Sequence, residues 1–100
     1  MLSTSSVLAK IAESMRNINE YGVQKIGLFG SFVREEQTET SDIDIIVEFG
    51  KGQKTFDNYM DLKFYLEDLL GQKIDLVSID AVKPELKASI LGSVRYVQGV

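Results

Sequence analysis

From Val7 onward, apolar side chains recur at Leu8, Ile11, Met15 and Ile18, a three-and-four spacing that lines one stripe of an amphipathic helix. Ser3 to Ser6 offer a choice of N-caps ahead of that stripe, and Gly22 ends the helix. Val23 to Phe29 is short, apolar and β-prone and stops at Gly30, so a first strand is predicted there. Ser31 to Gln37 suits a brief helix with its free N–H groups facing Gly30, and Thr38 to Ser41 reads as polar loop. The clearest strand is Asp42 to Phe49. Its period of two places Ile43, Ile45, Val47 and Phe49 on one flank and Asp42, Asp44, Ile46 and Glu48 on the other. Gly50 to Lys54 is a turn region, after which Tyr59, Leu62, Tyr65, Leu66, Leu69 and Leu70 mark a second amphipathic helix closed by Gly71. Lys73 to Ile79 is a third strand, with Ile74 and Leu76 on one flank and Asp75 and Val77 on the other. Pro84 opens a further helix through Leu91, which Gly92 ends, and Val94 to Val97 forms a last short strand. Helices alternating with strands imply an α/β or α+β domain, with helices packed on a small sheet.

Length and composition narrow the picture. The 100 residues, 44% hydrophobic and 26% charged, fit one soluble domain spanning 1–100 with a single modest core. A second domain to hold a substrate has to come from another chain. The absence of cysteine and histidine removes disulfides, thiolate metal sites, the commonest zinc ligand and the usual neutral-pH general base, so any metal must sit on oxygen. A net charge of −4 opposes non-specific nucleic-acid binding. Neither a signal-peptide pattern nor a membrane-spanning stretch is present, and a cytoplasmic protein is expected.

Against that background the strand aspartates need a cause, because a carboxylate on a half-buried strand carries a desolvation cost. Asp42 and Asp44 are two residues apart and point the same way. Asp75 stands on the matching flank of a later strand and completes a trio within coordinating reach if the two strands are neighbours. Hard oxygen donors in this number suit magnesium, which keeps open positions for water and substrate phosphates. Taken alone, the acidic pair has an ordinary reading too, with Asp42 capping a turn, Asp44 at a solvated edge and Asp75 in a surface ion pair. Gly30-Ser31 changes the balance. A glycine lets an anion approach the backbone and a serine hydroxyl at a helix start adds a donor, so the pair makes a phosphate seat facing the acidic strand.

Gly30-Ser31, ten intervening residues and Asp42-Ile43-Asp44 resemble the G-S-x(10)-D-x-D signature of the minimal nucleotidyltransferases, the MntA-like antitoxin family of the DNA polymerase beta superfamily. The resemblance covers nearly the whole chain: Gly-Leu-Phe-Gly-Ser, Ser-Asp-Ile-Asp-Ile-Ile-Val, Leu-Leu-Gly, Lys-Ile-Asp-Leu-Val and Lys-Pro-Glu-Leu all take part. It implies a nucleotidyltransferase fold with a small mixed sheet of three to four strands and helices on one face. It further implies that Gly30 and Ser31 hold ATP, that Asp42 and Asp44 bind two Mg2+ ions, that Asp75 is the third catalytic and metal-binding carboxylate, and that Arg34 contacts phosphate. The chain departs from many relatives at Arg34-Glu35, where they carry Arg-Gly, so a negative charge lies nearer the phosphate path; Arg34 could equally pair with Glu35, Glu36 or Glu39. The activity implied is transfer of AMP from ATP to a tyrosine hydroxyl of a HEPN-type toxin, by an antitoxin that works alone or as a homo- or hetero-oligomer. Transfer to a small molecule or an RNA end, and non-catalytic masking of the partner, are the rival readings.

Overall fold

The structure, a computed structural model, describes residues 3–30 and 42–97. Helix α1 (Thr4–Glu13) begins at Ser3, whose hydroxyl accepts from the Ser6 N–H at 3.1 Å. The apolar stripe that predicts one helix is divided between two, because the chain steps out of helical geometry at Ser14 and resumes as α2 (Met15–Asn19). The step is made by the backbone, where the Ser14 N–H donates to the Ile11 carbonyl at 3.0 Å in a tighter, 3-10-like turn. The break leaves the stripe aligned, and Val7, Ile11, Met15 and Ile18 are all buried.

Strands β1 (Val23–Leu28) and β2 (Ile43–Phe49) follow, then helix α3 (Phe56–Leu70), strand β3 (Ile74–Ser78), a 3-10 turn (Ile79–Ala81), helix α4 (Pro84–Ser93) and strand β4 (Arg95–Tyr96). The sheet order is β3-β2-β1-β4. β1 runs antiparallel to β2 and to β4, while β2 and β3 are parallel, since α3 carries the chain back before β3 begins. A bulge between Val23 and Lys25 resets the alternation of β1, so that Val23 and Ile26, three residues apart, both face the core.

One flank of the sheet carries Ile26, Leu28, Ile43, Ile45, Val47, Ile74 and Leu76, which pack with Val7, Ile11, Met15 and Ile18 and with Leu62, Leu66 and Leu70 of α3. The predicted mixed sheet with helices on one face is therefore what forms. Leu66 is fully buried in this layer, and Leu66→Ala is expected to lower unfolding free energy by about 2–5 kcal/mol, read from the urea midpoint, through lost transfer energy and an unfilled cavity. The outer edge of β3 is closed by α3: the Tyr59 hydroxyl donates to the Leu76 carbonyl at 2.5 Å and the Glu67 carboxylate accepts from the Ile74 N–H at 3.3 Å.

The C-terminal part departs from expectation. Helix α4 runs through Gly92 to Ser93 and buries none of its residues, leaving Leu86 and Leu91 exposed. Its apolar positions are interrupted by Ser89, Gly92 and Ser93 and form no continuous stripe. The segment predicted as a brief helix from Ser31, and the loop up to Ser41, lie outside the described residues. Among the described residues no helix is long and apolar enough to cross a membrane.

Candidate active site

β1 ends against the acidic end of β2. The Phe29 N–H donates to the Asp44 carbonyl at 3.1 Å, which carries the antiparallel ladder to the residue before Gly30. Gly30 then turns with φ +73°, a left-handed conformation that L side chains rarely adopt. A side chain is excluded there on a second ground. A Cβ at Gly30 would run into the Asp44 carboxylate, lying 2.9 Å from its Cγ. The backbone at Gly30 and the Asp44 carboxylate are thus in direct apposition, which is the relation a phosphate seat and an acidic strand need in order to act on one ligand.

The second relation comes from the sheet. In the parallel β2–β3 pair Asp44 stands directly opposite Asp75. Neighbouring strands are about 4.8 Å apart, so the two carboxylates rise side by side from the flank that faces away from the helices. Asp44 is half-buried and Asp75 exposed. Asp42, also exposed, immediately precedes β2 on the same alternation as Asp44. The neighbouring of the two strands, on which the third carboxylate depends, is therefore present. Among the described residues the three aspartates are not gathered into a cluster of three acidic side chains able to hold a metal ion. Magnesium does not require such a cage, because it binds through one or two carboxylates together with water and substrate phosphates. The donor set suits it: oxygen only, with like charges opposed across Asp44 and Asp75 that a cation would relieve. Ser31 and Arg34, the other residues assigned to nucleotide binding, lie outside the described residues.

The lysines of the β2–α3 turn are at the far end of β2. There the Lys54 ammonium pairs with the Asp80 carboxylate at 3.1 Å, and the Ser78 hydroxyl donates to the same oxygen. The Ser78 hydrogen bond, and then Lys54, hold the Asp80 carboxyl below its ordinary value. A cavity of about 440 Å³ opens at that end between Lys54, Phe56, Tyr59, Leu76, Val77 and Ala81, and none of Gly30, Asp42, Asp44 or Asp75 lines it. The aromatics of α3 have structural duties. Tyr59 is tied to Leu76, and Tyr65 packs on Tyr21 at 5.7 Å between ring centroids and accepts from the Asn17 amide at 3.2 Å. One residue of the acidic corner received no place from the sequence pattern. Lys73 lies two residues before Asp75, a spacing that already put it on the same flank.

The sequence model of the nucleotidyltransferase domain matches residues 8–97. The chain belongs to that family. Its likeness to the minimal members extends over almost all of its length: it is 36% identical to the protein adenylyltransferase MntA of Thermococcus cleftensis over 98 residues, covering 97% of this chain and 98% of the relative. A solved structure of a candidate minimal nucleotidyltransferase superposes with a TM-score of 0.83 at 30% identity, covering 94% of this chain and 95% of the other. A complex of the tri-AMPylated Shewanella oneidensis HEPN toxin with its MNT antitoxin shares the fold, with a TM-score of 0.68 at 23% identity over 97% of this chain and 73% of that one. This nucleotidyltransferase is thus similar over nearly its whole length to a protein adenylyltransferase, and it apposes a glycine turn to an acidic strand at Gly30 and Asp44.

Proposed function

We propose that this chain is an antitoxin that transfers AMP from ATP to a tyrosine hydroxyl of a HEPN-type toxin, with Asp42, Asp44 and Asp75 holding magnesium and Gly30, Ser31 and Arg34 holding the nucleotide. The observation that carries the reading is the apposition of the left-handed Gly30 turn to the Asp44 carboxylate, with Asp75 across the strand pair. The relatives add direction: one of them is a protein adenylyltransferase, and a solved neighbour is an antitoxin bound to a toxin that carries AMP.

The chain's own groups divide the work. Gly30 leaves room for a triphosphate to lie along the backbone, and Ser31 adds a hydroxyl donor beside it. Asp44 and Asp42 face the α-phosphate from β2, and Asp75 faces the acceptor from β3. Magnesium, when bound, neutralises the charge that builds on the phosphate oxygens and the departing pyrophosphate. The tyrosine oxygen attacks the α-phosphorus, a new P–O bond forms, and the bond between that phosphorus and the α–β bridging oxygen breaks to release pyrophosphate. The phenolic proton passes to the Asp75 carboxylate and from there to water. A site built this way works by positioning and charge placement, which fits a chain without cysteine or histidine.

Incubating the partner toxin with this protein, ATP and magnesium is expected to raise the toxin's intact mass by one or more AMP units, localised to tyrosine by peptide sequencing. An unmodified toxin that nevertheless binds this chain tightly would replace the reading with neutralisation by masking, and label on RNA or a small molecule would move the acceptor.

A further inference from the structure

We infer that Lys73 is a catalytic residue of the acceptor half of the site, its ammonium pairing with the tyrosine oxygen as that oxygen loses its proton. The inference rests on the adenylyl-transfer reading above and adds a group to it.

Three observations place Lys73. The Ile43 N–H donates to the Lys73 carbonyl at 3.0 Å, so the parallel ladder continues one residue beyond Ile43–Ile74 and brings Lys73 level with Asp42. Ile74 is buried against the helices, and its neighbours Lys73 and Asp75, both exposed, therefore take the opposite flank. Asp44 on β2 with Asp42 just before it, and Asp75 on β3 with Lys73 just before it, thus form a two-by-two array with one cation among three acids. Among the described residues Lys73 nevertheless makes no ion pair, and its charge stays available to an incoming group.

The sheet order says which incoming group. With strands in the order β3-β2-β1, Gly30 lies on one side of the Asp42–Asp44 strand and Lys73 on the other. The nucleotide tail occupies the Gly30 side, which leaves Lys73 facing what arrives over Asp75. No described strand lies beyond β3, and although α3 caps the outer backbone groups of β3, Lys73 and Asp75 are exposed on the flank away from the core helices, where a protein acceptor can reach them. A tyrosine hydroxyl has an ordinary pKa of about 10, and most of it is neutral when it arrives. As its proton leaves to Asp75 and water, the oxygen develops negative charge before the bond to phosphorus is complete. An ammonium beside it stabilises that charge and not the neutral ground state, which is the condition for a rate effect.

The test compares Lys73→Met and Lys73→Arg with the unaltered chain, using the partner toxin as acceptor and following AMP transfer at saturating ATP. Affinity for a non-hydrolysable ATP analogue is measured separately. Lys73→Met is expected to lower kcat about tenfold, less than for an enclosed oxyanion donor because the group is solvated, with analogue affinity held within about twofold. Lys73→Arg is expected to restore most of the rate. Toxin carrying 3-fluorotyrosine at the modified position, a more acidic phenol, is expected to narrow the gap between Lys73→Met and the unaltered chain. An unchanged kcat, a loss that appears in nucleotide affinity instead, or a gap that fluorination does not narrow would each overturn the assignment. Failure of the unaltered chain to label the toxin would instead fell the adenylyl-transfer reading, and this inference with it.

Discussion

Asp44→Asn is expected to reduce AMP transfer by about 10²–10³-fold or more while leaving the fold intact. The amide has nearly the shape of the carboxylate, so neither the β2 ladder nor the apposition to Gly30 is disturbed. What disappears is the negative charge beside the phosphate seat. In the folded chain that charge stands opposite Asp75, and like charges directly across a strand pair are destabilising. Losing it relieves that repulsion and, on the proposed reading, removes from the reaction the group that faces the α-phosphate. Transfer of labelled AMP to the toxin and a thermal melt, taken on the same preparation, check both halves. A variant that keeps its activity would remove Asp44 from the machinery, and one that melts far lower would assign it a structural duty instead.

Gly30→Ala is expected to lose both stability and activity, and the reason is local. Holding an L residue at φ +73° costs roughly 1–2 kcal/mol, and the new methyl must displace the Asp44 carboxylate that lies against the Gly30 Cα. A total loss of about 1–3 kcal/mol in the urea midpoint follows, together with a drop in transfer comparable to that of Asp44→Asn. Gly52→Ala separates the two contributions. Gly52 has φ +74°, but a Cβ there meets nothing within 4 Å, and it sits in the β2–α3 turn away from the aspartates. That variant is expected to show the backbone cost alone and to retain transfer. Equal loss of activity in both variants would mean that stability, and not the position of the carboxylate, limits the enzyme.

Much of this protein could be read from residue types and their spacing. The alternation from Asp42 to Phe49, the helix closed at Gly71 and the proline start of α4 are short-range patterns that each produced an element close to its expected bounds, and the stripe from Val7 to Ile18 produced helical structure along its length. Local signals erred where the backbone had a competing local choice. Ser14 divides the first helix, and Gly92 stays inside the last one. The apolar C-terminal stretch Ile90, Leu91, Val94, Tyr96 and Val97 suggests core by composition, yet of these only Val97 is buried, because no continuous stripe turns α4 toward the sheet.

The candidate site divides along the same line. The identity and spacing of Gly30, Asp42, Asp44 and Asp75 are properties of the chain, since glycine is the residue that tolerates φ +73° and a period of two sets which way a strand residue points. That Asp44 faces Asp75, that the Gly30 Cα abuts a carboxylate, and that Lys73 stands level with Asp42 were decided by pairing between segments separated by a fifteen-residue helix or by a long connection. No periodicity within one segment specifies its partner or register. Those emerge when Ile43, Ile45, Ile74 and Leu76 are driven against the same helices, and burial of one flank obliges the charged residues to gather on the other.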